Sequence, residues 1–340
     1  MKYPKFLQPN GTIGFVAPSF GCVIEPYYSA FNNALKKFEN MGYKTHLGPN
    51  CFQDCGIGIS NTPYECGKEL TNELLSENSD CIISCGGGEL MCEILEYVDF
   101  NAIAHSTPKW FMGYSDNTNY TFLSATLCDI ASIYGPCASS FGMEPWHESI
   151  DNTWKLFTGQ KFTFNGYTKW ESESLKCENN PLASINATSP SVIHTYPSGN
   201  IQMEGRLLGG CLDVLAGLVG TKYDKVTDFA EKYSSDGILW YLEACDLNVL
   251  SIRRAMWQLD NAGWFKNCSG FIIGRPMHFD EPIMGLTQYN AVVDIISKYG
   301  VPILMDADIG HINPMIPLIC GSLGKVVTQG NSYSIEMILK

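Results

Sequence analysis

Residues 109–118 read Lys109-Trp110-Phe111-Met112-Gly113-Tyr114-Ser115-Asp116-Asn117-Thr118. Apolar residues lead into a glycine, a serine sits on the turn, and Asn119 to Leu127 can continue as a helix. A strand, a tight turn carrying Ser and a following helix make a nucleophile elbow. The sharp turn lifts the hydroxyl above the sheet edge, and the helix N-terminus offers N–H groups to an oxyanion. The stretch therefore predicts an α/β sheet with Ser115 as candidate nucleophile, and it directs attention to where the chain keeps a base.

Working outward, the text before the elbow alternates between short apolar runs and amphipathic segments. Thr12–Ala17, Tyr43–Leu47 and Cys81–Ser84 read as strands, whereas Tyr27–Met41 and Glu65–Leu75 read as helices, the first with Phe31, Leu35 and Phe38 on one stripe. Ser132–Pro136 follows the elbow helix as one more strand. Such alternation predicts a mostly parallel sheet flanked by helices. Cys85-Gly86-Gly87-Gly88-Glu89-Leu90-Met91 lies between a strand and an expected helix through Leu95. Met91 occupies the third glycine position of G-x-G-x-x-G, so the dinucleotide fingerprint fails, and no P-loop is present. A tight turn or a backbone approaching a substrate carbonyl both remain open for these glycines.

Beyond residue 200, Gly237–Leu242 reads as a buried strand ending in Glu243. Ser251–Ala262 and Gln288–Tyr299 read as helices, Gly270–Gly274 and Pro302–Asp306 as strands, and the tail as a hairpin. A chain of 340 residues exceeds one ordinary core. The expected organisation is an N-terminal α/β nucleophile domain (1–165), a polar, turn-rich connection (166–200), and a C-terminal α/β domain of mixed strands and helices (201–340).

Composition narrows the function. A net charge of −13 speaks against nucleic acid and anionic membrane as partners. No export signal or membrane-length apolar run is read, so a cytoplasmic protein is expected, with its 14 cysteines reduced. The C-x₃-C pairs Cys51/Cys55 and Cys81/Cys85 lack the second ligand pair of a zinc site, and neither a metal nor a cofactor is expected.

A serine needs a base, and the base needs a third group to fix its tautomer. Of six histidines, His46 and His105 read as structural or solvated, and His147 and His194 lie in segments without a catalytic pattern. His278 is a second choice. His311 stands in a glycine- and proline-flanked loop just past a buried strand and is preferred. For the acid, Glu243 is favoured over Asp116 and Asp246, because a carboxylate closing a buried strand must find a partner. Asp116 fits better as an elbow residue whose backbone N–H faces the oxyanion.

Gly113-Tyr114-Ser115-Asp116-Asn117-Thr118, Leu242-Glu243, Gly274-Arg275-Pro276 and Gly310-His311 with Pro314 together resemble the motif set of the serine LD-carboxypeptidase family, which includes the microcin C immunity proteins. The resemblance implies Ser115 as nucleophile, His311 as base and Glu243 as its orienting acid. It also implies an oxyanion hole from Asp116 and the turn matched by Gly86, Gly87 and Gly88. A two-domain fold with the site between the domains, usually in a homodimer, is expected with it. The implied substrate is a small peptide or peptide–nucleotide conjugate, with Trp170, Tyr196 and Arg275 as candidate substrate contacts. A non-catalytic binder of small peptides or amino acids on the same scaffold is the alternative.

Overall fold

Five short segments of the N-terminal half, apolar except for the edge strand β2, become strands β1 (Thr12–Val16), β2 (Lys44–Leu47), β3 (Cys81–Ser84), β4 (Trp110–Gly113) and β5 (Ser132–Tyr134) in the computed structural model, which describes all 340 residues. They pair in parallel in the order β2-β1-β3-β4-β5. Helices α1 (Tyr27–Asn40), α2 (Pro63–Leu75), α3 (Phe100–His105) and α4 (Thr118–Cys128) fall between these strands, and α5 (Glu148–Phe157) follows β5. With helices on both faces, the central strands bury every side chain instead of alternating, as Phe15, Ile82, Ile83 and Phe111 do. In such a sheet the order reverses between β1 and β3, where two connections diverge and leave a crevice at the strand C-termini. The loops opening there carry Ser19 and Gly86–Gly88.

Helix α2 shows how local sequence sets an element. Thr62 accepts the Glu65 N–H at the N-cap and Pro63 occupies the first turn. Cys66, Leu70 and Leu74 then face a core containing Val16, Ile82 and Phe111. The expected helix after the glycine run is instead a 3₁₀ segment, Met91–Tyr97. On α1, Ala34 joins Phe31 and Phe38 in the buried stripe, while Leu35 is only half-buried.

The second unit is built on an eight-stranded sheet. Its strands are β6 (Thr163–Asn165), β9 (His194–Tyr196), β10 (Gln202–Cys211), β11 (Ile238–Glu243), β12 (Cys268–Gly274), β13 (Ile303–Ala307), β15 (Leu323–Gln329) and β16 (Ser332–Ile338), in the order β6-β16-β15-β10-β11-β12-β13-β9. Strands β7 (Lys169–Trp170) and β8 (Ser189–Pro190) pair as an antiparallel two-stranded ribbon, and β14 spans Leu318–Cys320. Strands β10 to β13 run parallel, and the flanking pairs are antiparallel. Helices α6 (Leu212–Leu218), α7 (Val226–Lys232), α8 (Val249–Asn261) and α9 (Gln288–Ile296) complete it. Glu204–Gly210 lies within β10, a long strand through three glycines.

The units interleave along the chain: the first comprises 1–161 and 173–186, the second 162–172 and 187–340. The polar connection read at 166–200 is thus divided among both. No helix is long and apolar enough to cross a membrane.

One core carboxylate is legible to titration. Glu69 is buried on α2, where its oxygens accept the N–H groups of Ala17 and Asn50, each at 2.9 Å. Burial outweighs those donors and pushes its pKa up to about 7. A raised carboxyl favours folding while protonated, so its stabilising effect is complete below pH 4.5 and is lost as pH rises towards 7. Glu69→Gln carries a fixed cost for turning an amide NH₂ towards a backbone donor, but it does not titrate. Relative to wild type, the variant's unfolding free energy in denaturant should therefore gain up to about 3 kcal/mol between pH 4.5 and 7.5.

Candidate active site

The elbow is strained where a nucleophile elbow should be. Ser115 lies at φ +63°, a left-handed conformation that a non-glycine residue adopts only under constraint. Strand β4 ends at Gly113, a 3₁₀ turn spans Ser115–Asn117, and α4 begins at Thr118. The Ser115 N–H donates to the Tyr134 hydroxyl at 3.4 Å, tying the turn to the next strand. Gly87 packs directly on the serine: a Cβ built there would stand 3.1 Å from Ser115 Oγ. A side chain at 87 would press on the hydroxyl, and the serine would have to give by a few tenths of an ångström to admit it.

The two residues after Ser115 bind the glycine turn to the elbow. Asn117 Nδ2 donates to the Gly86 carbonyl at 2.9 Å and to that of Tyr114 at 3.1 Å. The buried Asp116 carboxylate accepts the Met91 N–H at 2.8 Å, Asn119 Nδ2 at 3.0 Å and the Ser19 hydroxyl. Burial raises the Asp116 pKa, against the pull of those three donors. The Gly87 carbonyl accepts the Phe20 N–H at 3.0 Å, and Gly88 takes φ +153° beside Ser19. Sequence reasoning gave Asp116 a backbone role; its side chain holds the loop as well.

In the second unit, Glu243 closes β11 with 1% of its surface exposed. His311 Nδ1 meets Glu243 Oε2 at 2.8 Å. The carboxylate favours the tautomer that carries its proton on Nδ1, which makes Nε2 the nitrogen with the lone pair. Burial alone would lower the imidazole's pKa, but the Glu243 carboxylate and the Cys245 thiol beside the ring hold it well above the ordinary histidine range. The pair is therefore built to stabilise an imidazolium. Gly310, at φ +97°, has no room for a side chain: a Cβ there would come within 2.5 Å of Glu243 Cδ.

The loop before His311 hangs on a second buried pair. Asp308 Oδ1 meets Arg275 Nη2 at 2.7 Å, and Asp308 Oδ2 accepts the Tyr167 N–H at 2.7 Å and the Tyr333 hydroxyl at 2.9 Å. Arg275 is 1% exposed, and its guanidinium lies 5.7 Å from the Trp170 ring centroid. Trp170 in turn packs on Phe279 at 5.2 Å. Tyr196 sits on the edge strand β9, paired opposite Ile303. Asp308 and Asn117 escaped sequence reading; an acid three residues upstream of the candidate base was the only signal for the first. His278 pairs with exposed Glu281, and His194 with buried Asp306.

A parallel α/β unit with a strained serine elbow, together with a unit presenting a buried histidine–carboxylate pair, defines the architecture of a hydrolase class. Residues 13–135 match the LD-carboxypeptidase N-terminal domain and residues 204–326 the LD-carboxypeptidase C-terminal domain, so the chain belongs to the LD-carboxypeptidase family of peptidases. It is 26% identical to the microcin C7 self-immunity protein of Escherichia coli, over 93% of this chain and 90% of that one. A probable murein peptide carboxypeptidase of Bacillus subtilis is 25% identical, over 98% and 94%. Among solved structures, a relative of the self-immunity protein from Bacillus anthracis superposes with a TM-score of 0.81 at 20% identity, covering 99% of this chain and all of that one. The self-immunity protein in complex with aspartyl sulfamoyl adenosine gives 0.79 at 22%, covering 99% and 98%.

Two substitutions test these local arrangements in denaturant titrations. Gly310→Ala should cost at least about 2 kcal/mol, because it meets both an unfavourable φ and the buried carboxylate. Asp116→Ala strands the Met91 N–H and the Ser19 hydroxyl and leaves the Asn119 amide only its bond to the residue 116 carbonyl, and should cost about 3 kcal/mol or more.

Proposed function

We propose that the protein is a serine hydrolase of amide bonds in small peptides or peptide conjugates. In this reading Ser115 attacks the scissile carbonyl and His311 accepts its proton. Glu243 stabilises the imidazolium, and N–H groups of Asp116 and the Gly86–Gly88 turn hold the oxyanion. His311 then protonates the leaving amine, and water, activated by the same imidazole, releases the acyl group from Ser115. The observation that carries the reading is the left-handed Ser115 with Gly87 packed on its hydroxyl. Family membership supports the peptidase class, and the 2.8 Å His311–Glu243 contact supports the division of roles.

For the substrate, two chemistries are available from the relatives. One is named as a probable murein peptide carboxypeptidase; the self-immunity protein has been solved with aspartyl sulfamoyl adenosine and with glutamyl sulfamoyl guanosine. We favour an acidic aminoacyl–nucleoside conjugate. Trp170, half-buried with Phe279 and Arg275 against it, is the aromatic surface suited to a base. Side-by-side turnover of a murein tetrapeptide and aspartyl sulfamoyl adenosine decides, and faster release of D-alanine from the tetrapeptide would reverse the preference.

Groups that act as one unit are non-additive. Ser115→Ala and His311→Ala should each lower kcat by at least about 10³-fold, and the double variant should fall little further. Independent, multiplying losses would remove the proposed partnership. A fluorophosphonate that labels wild type but not Ser115→Ala would exclude the non-catalytic binder; no labelling of either, with tight ligand binding, would favour it.

A further inference from the structure

Cys211 has no task in the acyl-transfer reading, yet it stands against its central pair. It closes β10 directly opposite Glu243 on β11. Its Sγ, a Glu243 carboxylate oxygen and a His311 ring nitrogen all lie within 4.8 Å of one another. Cys211 and Glu243 are buried, and the His311 side chain is 12% exposed, so the cluster is reached from the imidazole side. Cys245, two residues after Glu243, places a second thiol on the same ring.

We propose that Cys211, Glu243 and His311 form a site for a thiophilic divalent cation of the zinc class, and that its occupation switches off His311 as a base. The switching half rests on the function proposed above; the binding half does not. Thiolate sulfur, imidazole nitrogen and carboxylate oxygen are the donors zinc takes, at roughly 2.3, 2.0–2.1 and 2.0–2.2 Å. Donors at tetrahedral corners with those bonds stand roughly 3.3–3.8 Å apart, so the cluster needs side-chain adjustments of about 1 Å. Two anionic donors neutralise the dication, and the Cys211 thiol gives up its hydrogen bond to Asp213 Oδ2, at 3.3 Å, when it ionises. Calcium and magnesium, which require several oxygens, would find one carboxylate. Water or the Cys245 thiol completes the coordination.

The link to catalysis follows from the lone pairs of imidazole. A neutral ring has one N–H and one lone pair. A metal on Nε2 takes the lone pair that would receive the serine proton; a metal on Nδ1 leaves the proton on Nε2. Either way the ring cannot act as base.

The test is a titration of the reduced, metal-free, full-length protein with Co²⁺, followed by displacement with Zn²⁺. One equivalent should bind with tetrahedral visible bands and a thiolate-to-cobalt charge-transfer band. Cys211→Ser should lose that band and at least tenfold in affinity, His311→Ala should also lose it, and Cys55→Ser, at an exposed thiol, should keep it. Thermal melts identify any variant that fails to fold, and the two ligand variants guard each other. Absence of the band, or its survival in both ligand variants, overturns the site. In wild type, amide turnover should fall in proportion to occupancy and return with a chelator. A Cys211-dependent band with unaffected turnover overturns the switch and also removes His311 as base, while the site stands. Should no amide substrate be turned over at all, the spectra still decide the binding half.

Discussion

A carboxylate buried at the end of a parallel strand is the constraint from which the second unit is built. Removing an ionised carboxylate from water costs several kcal/mol unless a partner offsets it. Glu243 finds that partner in His311, 68 residues away in sequence, at 2.8 Å. The pairing works only if the loop after β13 is held at one height above the sheet. Gly310 lets the backbone pass against the carboxylate, and the Asp308–Arg275–Tyr333 network fixes the loop's base. One buried ion pair is thus positioned by another. Losing Arg275 would leave Asp308 uncompensated and release the loop that carries the imidazole.

The first unit solves a different problem, holding strain in place. A left-handed serine stores on the order of 1–3 kcal/mol, which the surroundings must keep from relaxing. Here the surroundings are mostly hydrogen bonds: Asp116 and Asn117 fasten the turn to Ser19, Met91 and the glycine run, and Tyr134 holds the serine N–H. The Ser115 hydroxyl and the Gly86–Gly88 turn are therefore fixed by the same few residues, and neither can shift without the other.

Much of this was legible because short-range chemistry decides it. The apolar runs became the parallel strands expected of them, and Gly113-Tyr114-Ser115-Asp116 became a strand–turn–helix, since four buried residues followed by a tight turn have few other solutions. Family motifs implied residue roles that periodicity alone left open among several histidines and acids. What escaped depends on distant partners. Strand β10 is interrupted by Gly205, Gly209 and Gly210, which weaken the strand signal, so the juxtaposition of Cys211 with Glu243 could not be anticipated. Asp308 is an ordinary loop aspartate until Arg275 and Tyr333 arrive from elsewhere in the chain. The interleaving of the two units likewise has no signature in composition.

That interleaving governs the order in which a ribosome can deliver finished structure. Strand β6, made at residues 163–165, pairs only with β16, made at 332–338. The first unit, for its part, is not complete until residue 186 has emerged. Between residue 165 and residue 332 the nascent protein therefore carries an early strand whose hydrogen-bonding partner does not yet exist. The hairpin of β15 and β16 supplies it, so the eight-stranded sheet can close at that edge only once residues 323–338 have been made.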